Sequence, residues 1–132
     1  MINIIIAIFQ ILIGIGIILF WIGFYFTECR GNRKMPEDEF RHELSFPLPD
    51  LGWVTPTLFI AAVGLLMGEK FGYYFSGIAG SGMIFLALID LAADKIYGRF
   101  ETKDNRMFLA ISIVVVLLIF GPIFIIYGWF NI

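Results

Sequence analysis

Between Ile2 and Phe26 the chain carries no charged side chain, and this run constrains the fold more than any other feature. A stretch of about 20 apolar residues crosses about 30 Å of hydrocarbon at about 1.5 Å per residue. Backbone polar groups in lipid must be satisfied within the segment itself, so such a run has to be helical. Three further runs follow: Gly52–Gly68, which holds Pro56, Phe71–Ala93, interrupted only by Asp90, and the uncharged Met107–Ile132. These predict an all-α polytopic membrane protein, an antiparallel bundle of four transmembrane helices. Residues 1–132 form a single transmembrane domain, with helices expected over about 2–26, 52–68, 71–94 and 107–130. Composition agrees. Hydrophobic residues make up 60% and charged residues 15%, against about 45–50% and about 25% in soluble domains. The first run has no basic leader and no small-residue cleavage site, so it is expected to stay as a helix rather than be removed as a signal peptide.

Charge sets the expected orientation. Arg30, Arg33, Lys34 and Arg41 lie between the first and second runs, Lys70 between the second and third, and Lys95, Arg99, Lys103 and Arg106 between the third and fourth. In an antiparallel bundle the first and third loops share a side. The positive-inside rule therefore places both loops in the cytoplasm and both termini outside, in the cell membrane. Trp21, Tyr25, Trp53 and Tyr97 are expected at the cytoplasmic boundary, and Tyr73, Tyr74, Tyr127 and Trp129 at the outer one. The bilayer is thus the first partner. The net charge of −2 and the lack of a basic run argue against nucleic acid. The lone Cys29 excludes an intramolecular disulfide and CxxC chemistry.

The loop 27–51 is the one sizeable polar segment. Its MPEDEFRHE stretch opens with Pro36 and an acidic turn, which predicts a short surface helix near Glu37–Glu43. The FPLPD stretch, Phe46–Asp50, is expected to be extended or turning because of its two prolines, with Asp50 placed to cap the second membrane helix. GEKFG, Gly68–Gly72, predicts a tight turn. Small residues recur every fourth position at Gly64, Gly68, Gly72, Ser76 and Gly80. Such residues let membrane helices approach closely. They serve either packing inside the hairpin or a homo-oligomer contact along Gly72, Ser76 and Gly80. Gly121-Pro122 is expected to kink or locally unwind the last helix.

Candidate chemistry centres on Asp90, with Asp94 one turn later on the same helix face. An aspartate inside the membrane is costly and needs a partner. Counting from the cytoplasmic helix ends offers Trp21, Thr55, Thr57 and Ser112 at similar depth, with His42, Glu43 and Asp50 of the loop as a lid. Gln10, in mid-membrane, is expected to bond across helices toward Ser76, Gly80 or Ser81. No HExxH, histidine cluster or nucleophile–base pair occurs, so no catalytic residue, metal ligand or cofactor is assigned. The expectation is a non-enzymatic membrane protein that binds or organises a partner, lipid or small ligand through this polar cluster. The alternative is a small transporter or channel using the Asp90 carboxylate.

The stretch FPLPDLGWVTPTLFIAAVGLLMGEKFGYYFSGIAGSGMIFLALID, residues 46–90, resembles a group of small prokaryotic four-helix integral membrane proteins. In these an FPLPD-like segment precedes helix two and helix three carries a late aspartate. The resemblance implies the topology and points to Asp50 and Asp90; it implies no activity. Small multidrug exporters carry a glutamate in helix one, which this chain lacks, and the disulfide-generating and vitamin-K-reducing membrane enzymes need cysteine pairs.

Overall fold

A computed structural model describes residues 1–31, 35–101 and 105–132, apart from the Arg106 side chain. The helices are α1 (Ile2–Phe24), α2 (Glu37–Glu43), α3 (Thr55–Met67), α4 (Lys70–Ile96) and α5 (Asn105–Asn131), and no strand occurs among the described residues. Four helical stretches are long and apolar enough to cross a membrane: Ile2–Cys29, Glu37–Met67, Lys70–Ile96 and Met107–Asn131. Of the basic residues used to assign orientation, Arg33, Lys34 and Lys103 lie outside the described residues.

α1 buries Ala7, Gln10, Gly14 and Trp21. This spacing of three and four is the seam of near-antiparallel helices, while Ile5, Ile8, Leu12, Ile15 and Leu19 point outward. Outward-facing apolar side chains suit a lipid surroundings as they would not suit water. The turn from α3 to α4 is as expected. Gly68 adopts φ 71°, the left-handed conformation that favours glycine. The Glu69 N–H then reaches the Gly64 carbonyl at 2.9 Å and the Gly68 N–H reaches Leu65 at 3.2 Å, closing the helix end by a Schellman-type cap.

The small-residue ladder works inside the bundle. A Cβ on Gly64 would lie 2.5 Å from the Gly72 Cα, and one on Gly80 would collide with the Gly121 carbonyl of α5. Gly72, Ser76 and Gly80 are all buried within the chain, so the expected homo-oligomer contact is corrected: this face is already occupied by α1, α3 and α5 of the same chain. The middle of the bundle is filled by Leu58, Met83 and Phe124, which have no exposed surface.

Three other expectations need correction. Phe46–Asp50 is not extended: Pro47–Pro49 form a helical turn and Asp50–Val54 continue it as π-helix into α3. Both prolines fall in the first turn, where backbone N–H groups have no helical acceptor to lose. The helical path therefore starts earlier than residue 52. Val54 stands beside Gly82, about 12 Å along α4 from Asp90 by helical rise, so Trp53 is not at the loop-end boundary. It lines a surface groove with Gly82 and Phe85. Finally, α5 runs continuously through Pro122, so of the two outcomes expected there, a kink or local unwinding, the unwinding does not occur. α4 and α5 approach closely here: a Cβ on Gly121 would lie 2.9 Å from the Gly80 carbonyl oxygen.

Candidate functional site at the loop end

The first and third loops meet at one end of the bundle, and Arg99 joins them. α2 starts after Pro36 with Glu37, Asp38 and Glu39 in its first turn, where negative charge complements the helix dipole. Its buried face presents Glu39, Phe40 and Glu43, whereas Arg41 turns outward to an exposed i,i+4 pair with Glu37. Phe40 stacks on Phe24 of α1, 5.9 Å between centroids and 9° between planes. His42 packs against Phe46 and Tyr97 at 5.4 and 5.6 Å. From the other side, α4 ends at Ile96 with Tyr97 as its C-cap, and Gly98 adopts φ 69°. That left-handed step lets the chain reverse into a short 3₁₀ turn, Arg99–Glu101.

The reversal returns the Arg99 side chain to the bundle. Its Nε donates to Glu39 Oε1, Nη1 to Asp94 Oδ1 and Nη2 to Glu43 Oε1, each at 2.6 Å. All four side chains are at least about nine-tenths buried, Arg99 at 11% exposure being the most open. Burial alone would lower the basicity of the guanidinium. The charge of Glu43 and the bonds from Asp94, Glu39 and Glu43 outweigh it and hold the Arg99 pKa above its ordinary value. A planar fork of donors can serve three carboxylates at once, which a single lysine ammonium cannot do in this geometry.

The expected residues divide between this hub and its surroundings. Asp94 and Glu43 bind Arg99 directly. Asp50 does not cap α3: it lies within helical backbone with no side-chain cap bond, and its carboxylate instead accepts the Trp21 indole N–H at 2.7 Å. Asp90 is half-buried and lies one helical turn before Asp94 on α4. Among the described residues no hydroxyl is hydrogen-bonded to Asp90. The Thr57 hydroxyl donates to Val54 O and the Ser112 hydroxyl to Phe108 O, each closing on its own helix. Thr55 is buried on α3 beside Val54, well up the bundle from Asp90. The depth count failed because it began at residue 52, whereas the helical path begins at Pro47. His42 belongs to an aromatic contact rather than to the carboxylates.

Arg99 was read from the sequence only as a topological charge. The signal for its role was present: Glu39 and Glu43 share a helix face by i,i+4 spacing, and Arg99 follows Asp94 by one residue more than a helical turn, after a glycine.

A second polar layer lies at the opposite, terminal end. Asn3 Nδ2 donates to the Tyr73 hydroxyl at 3.0 Å and to Leu65 O at 3.3 Å, and the Tyr127 hydroxyl donates to Asn3 Oδ1. Deeper in, Gln10 Nε2 donates to Ser76 Oγ at 2.8 Å, and the Ser76 hydroxyl donates to Gly72 O, as the interhelical bond expected of Gln10. Between the two polar ends lie Leu58, Met83 and Phe124. Among the described residues no group of three or more His, Cys, Asp or Glu side chains is placed to hold a metal ion. The chain matches no protein-family model, no curated protein and no solved structure.

Proposed function

We propose that this chain is a non-enzymatic integral membrane protein that binds or organises a partner, lipid or small ligand through the polar cluster at its loop end, with that end in the cytoplasm. The observation that carries the reading is that Glu43 and Asp94 meet on Arg99 at this end, while the Asp50 carboxylate accepts from Trp21 and Asp90 lies one turn before Asp94 on the same helix. Carboxylates in that setting select a positively charged group. The closed apolar middle, where Leu58, Met83 and Phe124 are fully buried, favours binding at one end over passage through the bundle.

Trp21 is a built-in reporter because its indole bonds Asp50. In a Trp53→Phe/Trp129→Phe background, spermidine should change the Trp21 emission in a saturable way. Asp90→Asn should weaken the response about tenfold, equivalent to about 1.4 kcal/mol. No spermidine response at low ionic strength would contradict binding of a cation at this site. The competing reading is a small transporter or channel using Asp90. It requires proton- or ion-dependent flux in liposomes that Asp90→Asn abolishes; the binding reading expects no flux from the purified protein.

A further inference from the structure

We propose that the groove on the outward face of α4 binds a neutral, membrane-soluble ring compound with carbonyl acceptors and an apolar tail, the chemistry of an isoprenoid quinone. The groove has a volume of about 670 Å³, within the range of about 300–1,000 Å³ usual for small-molecule sites. Gly77, Ser81 and Gly82 of α4 line its floor, Trp53 and Phe85 line its deep part, and Tyr74 and Trp129 stand toward the terminal end. The floor is open: a Cβ on Gly77 would meet nothing within 4 Å. Among the described residues no charged side chain lines the groove, so a charged occupant would stay unpaired there.

The depth of two polar groups identifies the occupant. Gly82 lies twelve residues after Lys70 and fourteen before Ile96, about 18 and 21 Å from the two ends of α4 by helical rise. Val54 stands beside Gly82, so Trp53 and Ser81 both lie midway along a span. Tryptophan ordinarily stays near the headgroups, where its indole N–H is wet. Trp53 is instead 55% exposed at mid-span. Among the described residues its N–H and the Ser81 hydroxyl have no hydrogen-bond partner, whereas Ser76 and Ser112 each bond a carbonyl one turn back. Two donors facing hydrocarbon are costly until an acceptor reaches them. A phospholipid brings none, because its ester carbonyls stay at the boundary, about 15 Å from the bilayer centre. A second copy fits poorly, since a two-fold contact would set the recessed floor against itself, with Trp53 and Trp129 holding the backbones apart. A quinone ring answers both features. Its carbonyl oxygens accept from the two donors, its flat face suits the rings of Trp53 and Phe85, and its tail follows Gly77 toward Tyr74 and Trp129. This lateral site is separate from the loop-end cluster and does not rest on it.

The test reads Trp53 emission from the full chain, in a Trp21→Phe/Trp129→Phe background, in phosphatidylcholine liposomes. The probe is decylubiquinone, whose ring quenches indole emission. Quenching should saturate as the quinone content rises. Ser81→Ala, which removes one donor, should raise the half-saturating quinone content about fivefold, the worth of a single hydrogen bond. Gly77→Leu, which puts a side chain into the open space above the floor, should raise it at least about tenfold at an unchanged thermal midpoint. Decylbenzene, a ring and tail without carbonyls, should not compete. Quenching that climbs in proportion to quinone content without saturating is collision with free quinone and would overturn the proposal. So would saturation that neither variant shifts, which places the quinone elsewhere, or saturation that decylbenzene reverses, which means that any apolar chain will serve. An altered oligomer distribution in Gly77→Leu would give the groove to a second copy and equally overturn it. If Gly77→Leu lowers the thermal midpoint, the smaller change Ser81→Ala decides.

Discussion

Arg99 is the residue on which the loop end depends. Removing one partner of a buried ion pair leaves the others desolvated and unpaired, at a cost of about 3–5 kcal/mol. Arg99→Ala should therefore lower the thermal midpoint of the detergent-solubilised protein by more than any exposed Arg substitution, with Arg41→Ala as the comparison because its pair with Glu37 is exposed and worth at most about 1 kcal/mol. Equal losses in the two variants would count against the hub. Arg99→Lys should recover only part of the stability, since an ammonium cannot reproduce three forked bonds. At Gln10 the expectation is smaller. Ser76→Ala removes an interhelical bond worth about 0.6–2 kcal/mol in membrane bundles, and Gln10→Leu should cost about as much; a destabilisation beyond that range would assign Gln10 a larger role. These two residues also show how far single positions are legible. A glutamine in an uncharged run can only be satisfied across helices, so the Gln10–Ser76 contact followed from composition and depth. Asp90 was equally visible, but its neighbours were not. They depend on where the second helix begins, and the prolines that set this are ambiguous between a turn and a first helical turn.

At the scale of elements, periodicity was enough for the spans and for the α3–α4 turn, because an uncharged run of membrane length has one low-energy form. It was not enough for the direction each small residue faces. Gly72, Ser76 and Gly80 lie on a stripe that would suit a second copy as well as it suits α1, α3 and α5, and only the packed bundle distinguishes the two. The consequence is testable. Gly80→Leu should destabilise the folded monomer, because a side chain there meets the Gly121 carbonyl and Ile125; overpacking of this kind costs about 1–3 kcal/mol or more. Gly16→Leu, where a Cβ meets nothing within 4 Å, should leave the thermal midpoint within about 0.5 kcal/mol of the parent. A Gly80→Leu protein of unchanged stability but altered oligomer distribution would restore the self-association reading. The short helix α2 was expected from Pro36 and its acidic turn, yet its docking was hidden, because three of the residues that dock it, Phe24, Asp94 and Arg99, are distant in sequence.

The whole molecule is asymmetric along the bundle axis. One end gathers charged side chains around Arg99, Asp50 and Asp90, the other gathers neutral Asn3, Tyr73 and Tyr127, and Leu58, Met83 and Phe124 fill the centre. That asymmetry matches the charge count of the loops, and Arg99 enters both, as a loop cation in the count and as the buried centre of the hub. The account as a whole requires loops one and three to lie together on the cytoplasmic side of a four-span bundle, with the α3–α4 turn and the termini opposite. Labelling of intact cells with a membrane-impermeant maleimide tests this directly, using single cysteines at Asp38, Glu69, Glu101 and Asn131 in a Cys29→Ser background. The account predicts reaction at Glu69→Cys and Asn131→Cys, and reaction at Asp38→Cys and Glu101→Cys only after the membrane is opened. Asp38→Cys and Glu101→Cys reacting in intact cells would reverse the orientation, and a split between those two positions would contradict the bundle itself.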